Sequence, residues 1–325
     1  MQMIEINNAD MDWLMIRQAL SFALLKNRTV VIPRGRAFLQ ENPRYRHLFE
    51  DMVRSAADIG AGKIAFDGES IIYEPLPIVS GVYSMESASF SSSVELLLFL
   101  MPGLFFRDFR SIINLKGVTH SVLSYPTAFI KECLLKALER LGFYSSLTLK
   151  RFGFYGSGGG MFESRVYPRE SNGARIFSGH THSLSGATIY ISHLNADFAM
   201  QEKRFLAESL ELDQDKIAII EVVDSDGPGN SIQVYTNYNS MDIVLFREVQ
   251  IYNESGVMTF KEDDLVPILS DLSGEFNALI RGGVLPDYIF RELYPYFILS
   301  GAECEFNGNT KPAAMTKNLV DKFLQ

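Results

Sequence analysis

Apolar residues recur at helical spacing over 11–26, where Leu14, Ile16, Leu20, Ala23 and Leu24 mark one face. Thr29-Val30-Val31-Ile32 then predicts a strand stopped by Pro33. Leu48, Met52, Val53, Ala56 and Ala57 predict a second helix over 46–59, ended by Gly60, a residue suited to a left-handed C-cap. Strands at 63–66 and 70–74 follow, joined by the hairpin signature Asp67-Gly68. The same order then returns, with a helix at 92–106, a strand at 111–115, a helix at 127–141 closed by Gly142, and strands at 146–151 and 161–167. Gly60 and Gly142 stand 82 residues apart, and each pass closes on a strand that reaches proline, at Glu74-Pro75 and Tyr167-Pro168. That period is too long for a solenoid and fits duplication of a compact α/β unit.

The pattern changes afterwards. Strands are predicted at 187–192, 217–223, 231–237 and 241–247, with a helix at 197–210 among them. Helices return at 263–280, 287–299 and 315–324. The expected fold is α/β (α+β). Repeated two-helix, four-strand units make a core over 1–184, a small α/β domain is inserted at 185–268, and 269–325 complete the core.

Charge is divided along the chain. The 325 residues carry a net −9. Residues 1–200 hold 20 Lys/Arg against 18 Asp/Glu, and residues 201–325 hold 10 against 21. Segment 26–54 is locally basic, with Lys26, Arg28, Arg34, Arg36, Arg44, Arg46 and Arg54 against Glu41, Glu50 and Asp51. A basic stretch inside an acidic chain leaves an anion-facing surface open. Apolar residues make up 47% of the chain, which excludes a disordered one. Cys133 and Cys304 make no disulfide framework and point to a reducing compartment. No signal-peptide pattern opens the chain, and the run Leu96–Phe106 is far too short to span a bilayer. A cytoplasmic protein without a membrane segment is expected.

Three apparent ligand motifs dissolve on inspection. Gly60-Ala-Gly62-Lys63-Ile64 lacks the hydroxyl a P-loop needs at Ile64, and it ends a helix instead of opening one. His180-Thr181-His182 has no third ligand at a recognisable spacing. Asp224-Ser225-Asp226-Gly227 begins like a calcium loop but runs into Pro228-Gly229 with no glutamate following at the required position. Most distinctive is Arg151-Phe-Gly-Phe-Tyr155 followed by Gly158-Gly-Gly160, where consecutive glycines predict close approach by another chain segment or a ligand.

That stretch resembles the R-x-G-F-Y-x-x-G-G-G signature of the RNA 3′-terminal phosphate cyclases. Ile16-Arg17-Gln18-Ala19-Leu20, His47-Leu48, Gly117-Val-Thr-His120, Ile191-Ser-His-Leu194 and Asn318–Leu324 are similar to other stretches of that family, in its order. The resemblance implies the repeated-unit core with its inserted domain, a fold shared with enolpyruvate transferases. It also implies ATP and magnesium, a histidine that carries AMP to an RNA 3′-phosphate, and closure of a 2′,3′-cyclic phosphate.

The motifs that would perform this chemistry are altered. The family's G-E-G-G-G-Q opening reads Ala9-Asp10-Met11-Asp12-Trp13-Leu14, with Asp10 at the metal-binding glutamate. Its H-L-x-D-Q-L run ends here as Phe290-Arg291-Glu292-Leu293. Counted back from Phe323-Leu324, the nucleophilic histidine falls on Pro312, and no histidine follows His193. Proline within a chain has no nucleophilic nitrogen. The leading expectation is a cyclase-like pseudoenzyme that binds RNA 3′ ends, or a protein partner through the acidic inserted domain. Arg17, Arg36, Arg46 and His47 form its expected phosphate-facing surface, and Asp10 its metal position. The alternative is a divergent transferase or cyclase using Asp10, Asp12, Arg17 and Arg36 on a phosphorylated substrate.

Overall fold

The computed structural model describes residues 3–6, 11–170, 186–253, 255–304, 306 and 308–324. The first unit runs β1 (Ile4–Glu5), α1 (Trp13–Lys26), β2 (Val30–Ile32), α2 (Gly35–Glu41), α3 (Arg46–Asp58), β3 (Gly62–Asp67) and β4 (Ser70–Pro75). The second runs β5 (Val82–Glu86), α4 (Ser93–Leu104), β6 (Ser111–Gly117), a π-helical segment Phe129–Leu134 leading into α5 (Leu135–Arg140), β7 (Ser145–Arg151) and β8 (Gly160–Val166). Their sheets share one topology. The orders are β1-β2-β4-β3 and β5-β6-β8-β7, each with one parallel pair followed by two antiparallel pairs. The duplication read from the spacing is therefore a duplication of sheet order.

Three short elements escape the pattern, the first being the two-residue β1. Helix α2 starts after Arg34, a left-handed residue with no side-chain cap, so no start signal announces it. Strand β5 is an edge strand with Val82 exposed, so its apolar alternation is weak.

A third sheet, ordered β10-β9-β11-β12, is built from β9 (Gly186–Ser192), β10 (Ile217–Glu221), β11 (Gly229–Tyr238) and β12 (Met241–Glu248), with α6 (Ala196–Ser209) after β9. Its first strand lies inside the sheet, unlike the edge positions of β1 and β5. Helices α7 (Leu265–Gly282), α8 (Asp287–Ser300) and α9 (Lys311–Leu324) close the chain. The last begins four residues earlier than its periodicity predicts. Pro312 sits in its first turn, where a missing N–H removes no helical bond.

Helices α1 and α4 pack on each other in the interior. Every residue of α4 is buried, as are twelve of the fourteen in α1. Such helices must satisfy each polar group internally. Pro102 inside α4 lacks the N–H that would bond the Leu98 carbonyl. Ser21 of α1 donates its hydroxyl there instead, at 3.1 Å, and to Phe99 O at 2.6 Å.

The glycine-rich segment joins the second unit to the third sheet. Arg151 donates to Asp224 at 2.9 Å, to Asp226 at 2.7 Å and to the Gly159 carbonyl at 2.9 Å. A Cβ on Gly159 would stand 1.8 Å from the Asp226 carboxylate, and one on Gly229 would stand 1.9 Å from the Phe154 ring. The close approach predicted from the glycines is made by a chain segment, the acidic turn at 224–229.

Candidate functional site

The N-terminus of α1, the 121–125 loop, the end of β12, and the helices α7 and α8 enclose a cleft of about 910 Å³. Behind its wall, in the interior, Arg17 lies between two carboxylates, one of which, Glu95, also lines the cleft. It pairs with Glu292 of α8 and, at 3.0 Å, with Glu95 of α4, and all three side chains are 3% exposed. Glu95 also accepts from the Trp13 indole at 2.8 Å and from the Ser124 hydroxyl at 2.6 Å. Burial disfavours the Arg17 charge, but Glu292 and Glu95 outweigh it and hold the guanidinium above its ordinary range. Burial likewise raises Glu292 despite Arg17 beside it.

A second knot lines the cleft itself. Arg291 grips Asp12 through both terminal nitrogens, at 2.6 and 2.8 Å, and donates to Thr316 of α9 at 2.9 Å. Asp12 also caps α1, accepting from the Met15 N–H at 2.9 Å. On the far wall, Arg247 pairs with Asp271 and Glu275, both at 2.7 Å. Glu248, cross-strand from Ser231 and accepting its hydroxyl at 2.6 Å, is pushed up to about 8 by burial.

These residues decide what the cleft accepts. Asp12, Glu95, Glu248, Asp271 and Glu275 face it against Arg247 and Arg291, and both guanidiniums are already bound to carboxylates. A nucleoside triphosphate needs cations free to meet its phosphates. The described residues do not fit ATP with its magnesium. Among them no cluster of three or more His, Cys, Asp or Glu side chains is arranged to hold a metal ion. Pro312 is not among the cleft-lining residues and stands one turn before Thr316.

The expected phosphate-facing set does not stay together. Arg17 is a correction: it is enclosed by Glu95 and Glu292 and faces no surface, because α1 is an interior helix. Arg36 and Arg46 do meet, around a different depression of about 930 Å³ between α2, α3 and β3. Leu39, Phe49, Val53 and Phe66 line it with Glu50, and Arg54 beside them is held by Asp51 at 2.5 Å and the Glu86 carbonyl at 2.6 Å. The Arg36 guanidinium lies 4.5 Å over the Phe66 ring, and Arg46 donates to Glu50 at 2.8 Å. His47 turns toward Phe90, 6.3 Å between ring centroids, with Nδ1 3.3 Å from Glu50, and does not line the groove. Asp10 and His180-Thr181-His182 lie outside the described residues.

Sequence reasoning registered Arg291 and Glu292 only as losses, and it passed over Glu95. A lone carboxylate inside an otherwise apolar helix is the signal that marks Glu95, since such a group is stable there only beside a cation.

Comparison with known proteins agrees with this architecture. The chain is 26% identical over 246 residues to the RNA 3′-terminal phosphate cyclase of Koribacter versatilis, covering 74% of this chain and 69% of that one. It is 27% identical over 229 residues to that of Pseudomonas fluorescens, covering 70% and 67%. Against that of Ralstonia nicotianae it is 25% identical over 321 residues, covering 95% and 87%. The family model for RNA 3′-terminal phosphate cyclase matches residues 14–325. From its duplicated sheets to its last helix, the chain belongs to the RNA 3′-terminal phosphate cyclase family.

Proposed function

We propose that this chain has lost histidine-dependent adenylyl transfer and acts by holding RNA 3′ ends on the groove rimmed by Arg36 and Arg46. One observation carries the reading. In the run that ends at Leu293, Arg291 and Glu292 stand where the family motif has Asp and Gln, and both are locked into ion pairs with Asp12 and Arg17. The two replacements exchange a nucleotide-facing edge for internal cross-links. Pro312 at the nucleophile position agrees with them.

The groove has the chemistry that the cleft lacks. Single strands bind where cations track phosphates and exposed aromatic rings take bases. Phe66 is 40% exposed beneath Arg36, and Arg46 is exposed beside an apolar floor.

Fluorescence anisotropy with a short 3′-phosphorylated RNA tests the binding. Saturable, salt-sensitive binding that weakens in Arg36→Ala and Arg46→Ala is expected. Binding unchanged in both variants overturns the groove assignment. Incubation with labelled ATP and the same RNA tests the loss of chemistry. No covalent AMP and no cyclic phosphate are expected, and either product would falsify that half of the reading.

A further inference from the structure

An open sheet edge offers unpaired N–H and C=O groups to another strand, and folds block it with brevity, charge, irregularity or cover. Five of the six edge strands among the described residues follow that rule. Strand β1 has two residues, and β3 carries Lys63 and Asp67. The Glu86 carbonyl of β5 accepts from Arg54 at 2.6 Å. Strand β7 ends in Lys150-Arg151 with a register shift between Leu149 and Arg151. Strand β12 packs against the π-helical segment and α7.

Strand β10 lacks these devices. Ile217-Ala218-Ile219-Ile220 carry no charge before Glu221, and their pairing with β9 runs residue for residue without a bulge. Ile220 is 42% exposed, and just past the strand Val223 is 82% exposed. The main chain also has a free side. Alternate residues of a paired strand turn both backbone groups to the same neighbour. Val222 donates its N–H to the Ile191 carbonyl, so Ala218 and Ile220 face β9 with it, and Ile219 and Glu221 direct theirs away from the sheet. On that outer side the Ile217 carbonyl accepts from Lys203 at 2.8 Å. No partner meets the Ile219 or Glu221 backbone there among the described residues.

Charge selects the occupant. Asp215 before the strand and Glu221 at its end are exposed, and among the described residues no cation pairs with either. The nearby Lys216 stands 3.8 Å from Asp213, and Asp224 is held by Arg151. A second copy of this chain would set the same acidic ends against each other. Lysine or arginine at the ends of an added strand would instead meet a carboxylate at each.

From these features we propose that β10 is a docking edge for an extended segment of a partner protein, apolar in its middle and basic at its ends. The segment adds to the four-stranded third sheet through backbone bonds, and the carboxylates at either end of β10 choose it by charge. The edge is separate from the cleft, and the proposal is independent of RNA binding on the arginine groove.

Fluorescence anisotropy of the full chain with a labelled strand peptide tests this, the peptide alternating valine and threonine between terminal lysines. Saturable binding is expected, about tenfold or more tighter than that of the same peptide ended by glutamates. N-methylation of alternate peptide amides removes the pairing bonds while keeping the charge, and is expected to abolish binding. Ile220→Lys places a like charge on the exposed strand and should weaken binding about tenfold or more. Joint Asp215→Lys and Glu221→Lys replacement should turn the preference to the glutamate-ended peptide, and it serves where Ile220→Lys does not fold. The proposal is overturned if the lysine-ended peptide does not saturate, if its N-methylated form binds equally well, or if neither folded variant changes the affinity. It is also overturned if sedimentation shows a dimer that Ile220→Lys dissolves, since a second copy then fills the edge.

Discussion

The cleft and the arginine groove both carry guanidinium groups, and the difference between them lies in what each group faces. In the cleft, Arg247 and Arg291 each meet a carboxylate of a distant element, and Arg17, behind the cleft wall, does the same sealed from water. In the groove, Arg36 rests on an aromatic ring and Arg46 pairs with Glu50 one turn away, where solvent weakens the attraction. An arginine held by its own fold ties elements together, and an arginine on a half-open rim remains able to change partners. The same residue type therefore has opposite meanings in the two places, and burial distinguishes them.

The largest expected effect comes from breaking the buried ion pairs behind the cleft. Arg17→Leu strands Glu95 and Glu292 in the interior and is expected to cost about 3–5 kcal/mol in urea unfolding. Adding Glu292→Gln should recover part of that loss, because one of the stranded charges is removed. A second variant supplies the contrast of a buried carboxyl without a guanidinium. Glu202 is fully buried and, among the described residues, pairs with no cation and accepts only from Asn230 at 3.1 Å, with Oε1 left unbonded. Burial pushes it up from 4.5 to about 8. Between those values the folded chain keeps a proton that the unfolded chain releases, so stability should fall as pH rises through that window. Glu202→Gln should flatten the fall and recover on the order of 2–4 kcal/mol near pH 8, read as melting temperature against pH.

Arg291→Gln is expected to cost less, about 1–2 kcal/mol, because its partner Asp12 is 40% exposed and keeps its capping bond to Met15. Circular dichroism melts measure it. Arg36→Ala should change stability by under about 0.5 kcal/mol while lowering the salt slope of RNA binding by about one. A stability loss in Arg36→Ala as large as that in Arg17→Leu would erase the distinction between the two regions.

Most of the fold was legible because it repeats. The glycine-terminated helices and the strand pairs carry the duplication in spacing alone, and the sheets reproduce it in strand order. The third sheet was legible as strands but not in its order, because pairing between distant strands leaves no mark on local periodicity. Arg36 and Arg46 were found together because a basic run of sequence maps onto one surface. Arg17 was assigned to the phosphate-facing surface from its match to a family arginine, and the motif does not show that Glu95 and Glu292, 78 and 275 positions away, neutralise it inside the protein. No spacing rule joins residues so far apart.

The clasp between Arg151, the triple glycine and the turn at 224–229 has a consequence for how such chains are found. In this protein the most recognisable string of letters is a mechanical fastener, and its demands on shape hold whether or not any bond is ever made or broken nearby. Pedigree is thus written in one set of residues and reactivity in another.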